Sequence, residues 1–375
     1  MFGNPVMKDV LMGKHRSIEW RLLALHIIYF FLLLTVYTTY VVDIFGYMGF
    51  VDEFNVRKVI FSPFVITLSF LLLRNNGLPS YFFLNIIIAL TVTTSLVIFS
   101  GSNLPILFMA VTWVAFTILA IVARFFRLPL IRSKKIGNKV LLGWLAGISL
   151  LFIASIFAFG GGAYLNFDLT RVYEFRREAA ANLPGIFGYL MPNVSKAIMP
   201  LGIVLSLIYR KWVFLILFIC CAIMIFALSS HKSPLFMPIV IISVYWFSHY
   251  KKALDLTLLA LIAVVLIGGI DFYLWQSGIG GLSGLFGNLF VRRALLVPSL
   301  LNWAYFDFFS VNPYTYWADS KLSLGIIDNP YDLGIAKLIG REFMGNEETN
   351  ANTGWIGSGM ANAGYVGIAL YSVLI

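Results

Sequence analysis

Long apolar blocks alternate with short polar breaks along most of the chain. A helix needs about 20 mostly apolar residues to cross the hydrocarbon of a bilayer. The blocks near 22–42, 59–73, 81–99, 105–123, 140–160, 183–209, 212–228, 234–248, 253–275 and 361–375 read as about ten such spans. The second, eighth and last are short, and the last reaches Ile375 with no charged anchor behind it, which favours truncation at the C-terminus. Two stretches interrupt the rhythm, 161–182 and 276–360. Loops this long are usually functional or disordered. The second carries Trp303, Trp317 and Trp355 and apolar runs at 294–309 and 333–344 that predict short helices. It reads as a partly helical cap, lying on the membrane surface or covering a cavity between helices. The expected fold class is an all-α polytopic membrane protein, one membrane domain over 1–375.

Composition agrees with the pattern. Of 375 residues, 60% are hydrophobic and only 12% charged, about half the charge of a soluble domain. An ordinary cytosolic enzyme is thereby excluded. Cys220 and Cys221 are adjacent inside an apolar run, so neither a disulfide framework nor a zinc spacing exists. The formal charge of +10 points to membrane topology, with no nucleic acid as a partner. Counting Lys and Arg on alternate sides, Lys8, Lys14, Arg16, Arg21, Arg74, Arg124, Arg127, Arg132, Lys134, Lys135, Lys139, Arg210, Lys211, Lys251 and Lys252 gather on one side. The positive-inside rule puts that side, and the N-terminus, in the cytoplasm. Both long loops then face outward. No small-residue cleavage site follows the first span, which reads as a retained anchor.

Outward-facing arginines run against topology rules and are the first candidates for chemistry. In the first loop, Arg171, Tyr173, Glu174, Arg176, Arg177 and Glu178 fit either a surface helix laced by ion pairs or an anion site. Guanidinium suits phosphate because its planar donors grip oxygens in pairs. His231-Lys232-Ser233-Pro234 forms an outer turn, with Lys232 and Ser233 at a helix N-terminus, where anions are favoured. In the second loop, Arg292 and Arg293 head an apolar stretch. They anchor an interfacial helix or hold the phosphates of a lipid whose tail lies along that stretch. Asp307, Asp319, Arg341 and Glu342 follow, then Asn350, Asn352 and Trp355. These last three suit a carbohydrate equally with close helix packing through the small residues around them. The chain has no GxxxxGK[ST], no HExxH and no Cys/His cluster. Asp52-Glu53 is not a carboxylate pair spaced for a metal-bound glycosyl phosphate, so neither a metal nor a cofactor is expected.

The stretch Arg292-Arg293, Pro298, Tyr305-Phe306-Asp307-Phe308-Phe309, Pro313, Trp317, Asp319-Ser320, Ile339-Gly340 and Asn350-Ala351-Asn352-Thr353-Gly354-Trp355-Ile356, with the Lys232-Ser233-Pro234 turn, carries a resemblance. The chain resembles the O-antigen or oligosaccharide repeat-unit polymerases, the Wzy family of bacterial inner membranes. Arg177 to Gly188 matches an Arg-x10-Gly pattern found in some members, and Arg292, Arg293 and Arg341 do not. The related ligases usually carry a functional His in the large outer loop, and 276–360 contains none.

The resemblance implies a metal-independent membrane glycosyltransferase. It would transfer a growing glycan from undecaprenyl diphosphate to an incoming lipid-linked repeat unit at the periplasmic face. Partners implied are the undecaprenyl-diphosphate-linked oligosaccharide, membrane lipids and, as a further candidate, a chain-length regulator. In that reading Arg292, Arg293, Arg177 and Lys232 clamp the diphosphate and Arg341 assists. Asp307, Asp319, Glu342 and His231 are candidate bases. The competing readings are an O-antigen ligase and a flippase for the same lipid-linked oligosaccharide. A flippase often shows internal repeats and charges at mid-bilayer, whereas here the charges gather at the outer face except for Lys196.

Overall fold

The computed structural model describes residues 19–73, 79–125, 137–168, 184–229, 231–248, 252–279, 284–320, 323 and 325–375. It is helical, with no strand among those residues. The chain is an all-α, multi-pass membrane protein. Helices α1 Trp20–Met48, α3 Ser80–Gly101, α4 Ile106–Phe125, α5 Asn138–Ala158, α6 Leu190–Ile208, α7 Trp212–Ser229, α9 Ala253–Gln276 and α10 Gly287–Val311 are long and apolar enough to cross a membrane. Between them lie α2 Val56–Leu72 and α8 Lys232–Ser248, and after them α11 Ile335–Met344 and α12 Trp355–Leu374.

Where the sequence reads as one domain, the contacts divide the chain into two compact units. The first joins 1–128 to 254–375, and the second is 129–253. In the second unit, Phe152, Ile156, Phe187, Met199 and Ile225 form one core. Leu142, Ile203 and Phe218 form another, where Gly202 leaves room for the Phe218 ring. The first unit has one continuous core, from Leu22 on α1 to Ile368 on α12. Its helices are knit together at the end where α1 and α3 finish and α2 and α4 begin. Asn55 caps α2 by accepting from the Arg57 and Lys58 amides. The Lys58 ammonium donates to the Leu104 carbonyl at 2.6 Å. Gly101, with no Cβ, admits the Tyr37 ring, whose hydroxyl lies 2.7 Å from Ser102 Oγ.

Two elements depart from the expected pattern. The predicted short helix at 294–309 is longer and starts earlier, as the 25-residue α10. At 1.5 Å per residue α10 is roughly 35 Å long, enough to cross, yet its contacts keep both of its ends at one end of the unit. Gly287 sits on the Phe272 ring, near the last turn of α9. Ser299 bonds to Thr94 and Ser95, within two turns of the end of α3. Trp303 and Phe306 meet Phe108, in the first turn of α4. Phe45 on α1 packs against Trp275 on α9, so these helix ends belong to the same side. Thus α10 lies across the bundle, sunk between the helix ends.

The second departure corrects the last expected span, 361–375. Within α12 the backbone breaks at Ala363 and Gly364, and Gly364 has φ +59°. The two halves fold back on one another. Trp355 Nε1 donates to Ser372 Oγ at 3.2 Å, a contact that a straight helix would place roughly 25 Å apart. Gly359 and Gly367 let the two backbones touch. The side-chain amide of Asn362 ties the turn down, accepting from the Trp317 amide at 3.0 Å and the Thr315 hydroxyl at 3.1 Å. Small residues read from sequence as part of a span instead build a helical hairpin.

Candidate functional site

Among the described residues, the candidate with the most developed surroundings is the Arg292–Arg293 pair. It sits in the first half of α10, where residues 287–296 adopt a π-helix. Such wide turns are energetically poorer than α-helix and recur at functional sites. The Asp271 carboxylate accepts from the Gly287 amide at 2.9 Å and so caps the start of this segment from α9.

Neighbouring residues on a helix point to different sides, and the structure divides the pair accordingly. Arg292 is buried, only 7% exposed. Its Nε donates to Asn288 Oδ1 at 2.7 Å, and its Nη1 meets the Met48 sulfur. The guanidinium carbon stands 4.5 Å from the centre of the Phe45 ring. A buried charge is costly unless it is held by polar or π partners, and these groups hold it where α10 crosses the end of α1. Arg293 is exposed. It shares the outer surface of α10 with Phe290, Ala294 and Pro298, all exposed, and Phe286 packs on Phe290 with ring centres 4.5 Å apart. The result is one outward guanidinium on an apolar, aromatic surface, buttressed by an inward one.

The other candidates lie elsewhere. Helix rise puts Asp307 roughly 20 Å along the axis from Arg293; it is exposed and out of reach of a group bound there. The Asp319 carboxylate accepts from the Ile335 amide at 2.9 Å and caps α11. Capping by a carboxylate is worth about 1 kcal/mol. Asp319→Ala should therefore fray the first turn of α11, seen as faster hydrogen exchange at Ile335, while the exchange of the α1 amides stays unchanged.

Arg341 is enclosed by carboxylates. It bonds to Asp332 at 3.0 Å, Glu342 at 3.0 Å and Glu347 at 3.5 Å. The hydrogen bonds from Arg341 hold Asp332 below the ordinary carboxylate range, and those carboxylates raise Arg341. A guanidinium neutralised in this way is a poorer ligand for a further anion than one without carboxylate partners. Asn350 and Asn352 are exposed, with the Asn352 amide turned back onto the Asn350 carbonyl at 2.9 Å. Trp355 spends its indole N–H on Ser372, so its contribution is to the hairpin. Of the two expectations for this stretch, close helix packing is the one its geometry carries.

His231 and Lys232 belong to the second unit. His231 is exposed, and its amide donates to Ser229 Oγ at 3.2 Å; Lys232 begins α8. Arg171, Arg176 and Arg177 lie outside the described residues. No group of three or more His, Cys, Asp or Glu suited to a metal occurs among the described residues.

Sequence reasoning missed Phe45, Met48, Asp271 and Asn288. Asn288 and Arg292 are four apart, a spacing at which helical side chains meet, so that contact had a local signal. Phe45 and Met48 are brought to Arg292 by tertiary packing alone, across more than 240 positions of chain. No family model, no curated protein and no solved structure matches the chain.

Proposed function

We propose that the protein is a polymerase of lipid-linked oligosaccharide repeat units, acting at the periplasmic face of a bacterial inner membrane. The observation that carries this reading is the divided arginine pair. Arg292 is fixed under Phe45 and against Asn288, while Arg293 is exposed on the aromatic, apolar surface of a helix laid across the bundle end. A polyprenyl diphosphate has the same two characters, an apolar tail and a doubly charged head. The resemblance of 292–356 to the Wzy family supports the same choice.

In the proposed reaction, a hydroxyl oxygen of the incoming repeat unit attacks the anomeric carbon of the growing glycan. The bond from that carbon to the diphosphate oxygen breaks, undecaprenyl diphosphate leaves with the bonding electron pair, and the proton given up by the attacking hydroxyl passes to solvent. Negative charge grows on the leaving oxygen. A positioned guanidinium stabilises such charge, and Arg293 presents one on the exposed apolar face of Phe290, Ala294 and Pro298. Arg292 supports that face from beneath.

Reconstitution into liposomes with the lipid-linked repeat unit as sole substrate tests the reading. Glycans of two and more units are the expected product. Movement of the substrate across the bilayer without elongation would replace the polymerase with the flippase alternative, and no change at all would reject both.

A further inference from the structure

The interior of the first unit holds a second set of polar groups. Among the described residues, four buried side-chain atoms have no hydrogen-bond partner: His26 Nδ1 and the Tyr29 hydroxyl on α1, the Thr93 hydroxyl on α3 and Trp113 Nε1 on α4. His26, Tyr29 and Thr93 are wholly buried. The tautomer of His26 follows from its neighbour. The Asn85 amide donates to the Tyr81 carbonyl at 2.8 Å, so its Oδ1 faces His26 Nε2 at 3.4 Å and Nε2 carries the proton. Nδ1 is then a bare acceptor. Tyr29 lies about one turn further along the same face of α1. Thr93 closes the π-helical segment Ile88–Thr93, a wide turn of the kind that recurs at functional sites. The set is neutral and comprises one acceptor, one donor and two hydroxyls that do both. Buried polar groups are normally paired, and in a bilayer core no bulk solvent pairs them. The start of α3 and the finish of α4 line a cleft beside Tyr81 and Leu84, partly open to solvent, with room for about one water (20 Å3). Tyr81 also meets Glu19, just before α1, so the three helix ends lie together. At 1.5 Å per residue, His26, Tyr29, Trp113 and Thr93 stand roughly 9, 14, 18 and 20 Å in from those ends. Polar groups therefore run from the cleft through Asn85 into the middle of the bundle.

We propose that these groups bind a short file of internal water molecules, entered at Tyr81 and anchored on His26 Nδ1 and the Tyr29 hydroxyl. Water donates and accepts at once and matches the size of the cleft, and buried waters characteristically bridge polar groups that lack other partners. The file is independent of the polymerase reading. It is tested on the full chain in lipid nanodiscs by X-ray hydroxyl-radical footprinting with mass spectrometry, in which radicals form from water in place. Corrected for intrinsic reactivity, His26 and Tyr29 should be labelled severalfold more than Phe30 and Phe116, which are as deeply buried and offer water no polar group. His26→Leu should bring Tyr29 down to the level of Phe30. Tyr29→Phe should lower the midpoint of thermal unfolding, because it deletes a hydrogen bond, whereas deleting an unpaired hydroxyl would raise the midpoint or leave it unchanged. The file would be overturned by wild-type labelling of His26 and Tyr29 no stronger than that of Phe30 and Phe116. Unchanged Tyr29 labelling in a folded His26→Leu, or a Tyr29→Phe midpoint at or above wild type, would overturn it equally. Should His26→Leu lose helical signal by circular dichroism, the wild-type labelling and the Tyr29→Phe midpoint decide.

Discussion

Arg293→Ala should reduce glycan elongation on the order of 100-fold, the usual cost of removing one preorganised donor to a developing oxyanion. Arg293→Lys should recover part of the loss, because an ammonium supplies the charge without the paired donors of a guanidinium. Arg341→Ala is the internal control. Its guanidinium is already surrounded by Asp332, Glu342 and Glu347, and exposed ion pairs contribute little to stability. Elongation by Arg341→Ala should stay within about twofold of wild type, on the same reasoning. The measurement is the length distribution of glycan made in cells at matched protein levels. A full ladder from Arg293→Ala, or a short one from Arg341→Ala, would exchange the roles assigned to the two residues.

The second large effect is structural. Gly359→Leu should prevent the two halves of α12 from closing, because even a Cβ at this position would stand 2.6 Å from the Ile368 backbone. Overpacking in a well-packed core costs about 1–3 kcal/mol, and here the obstacle is backbone, which cannot move aside as a side chain does. The loss should reach the upper part of that range or beyond. It would also break the Trp355–Ser372 and Trp317–Tyr371 bonds, at 3.2 and 3.0 Å. Loss of Trp fluorescence anisotropy together with a lowered midpoint of thermal unfolding in detergent would register it. Gly185→Leu serves as the comparison, since a Cβ there meets nothing within 4 Å and should leave both quantities unchanged. An unaltered midpoint in Gly359→Leu would contradict the hairpin.

The spans were legible because one force dominates them. In a bilayer each backbone group must be paired within the segment, so an apolar block of sufficient length becomes a helix whatever its neighbours do. The blocks around Leu33, Val97 and Phe116 needed nothing more. The same logic failed at 361–375, whose small residues are as apolar as a span. Their size, not their hydropathy, decides the outcome, since Gly359 and Gly367 allow two backbones to meet. On α10 the sequence shows an apolar helix within an outer cap, but not that Phe272, Thr94 and Phe108 hold both of its ends at one side. Its orientation is a tertiary property.

The candidate site was half legible for a similar reason. Two arginines beside an apolar run stand out by composition, and the sequence treats them as equals. Burial separates them, and burial comes from Phe45 and Met48, far away in the chain. Asp319 and Arg341 looked chemically capable because side-chain type is visible in sequence and prior engagement is not. One is occupied by the Ile335 amide and the other by three carboxylates.

Direct binding of undecaprenyl diphosphate to the full chain in lipid nanodiscs is the most immediate test of the arginine surface. Titration of wild type and Arg293→Ala, with undecaprenol as the uncharged comparison, isolates the head from the tail. Wild type should bind the diphosphate at least tenfold more tightly than undecaprenol, a difference of about 1.4 kcal/mol or more, and Arg293→Ala should lose that preference. Equal affinity of wild type for the two lipids, or an undiminished preference in Arg293→Ala, would contradict it.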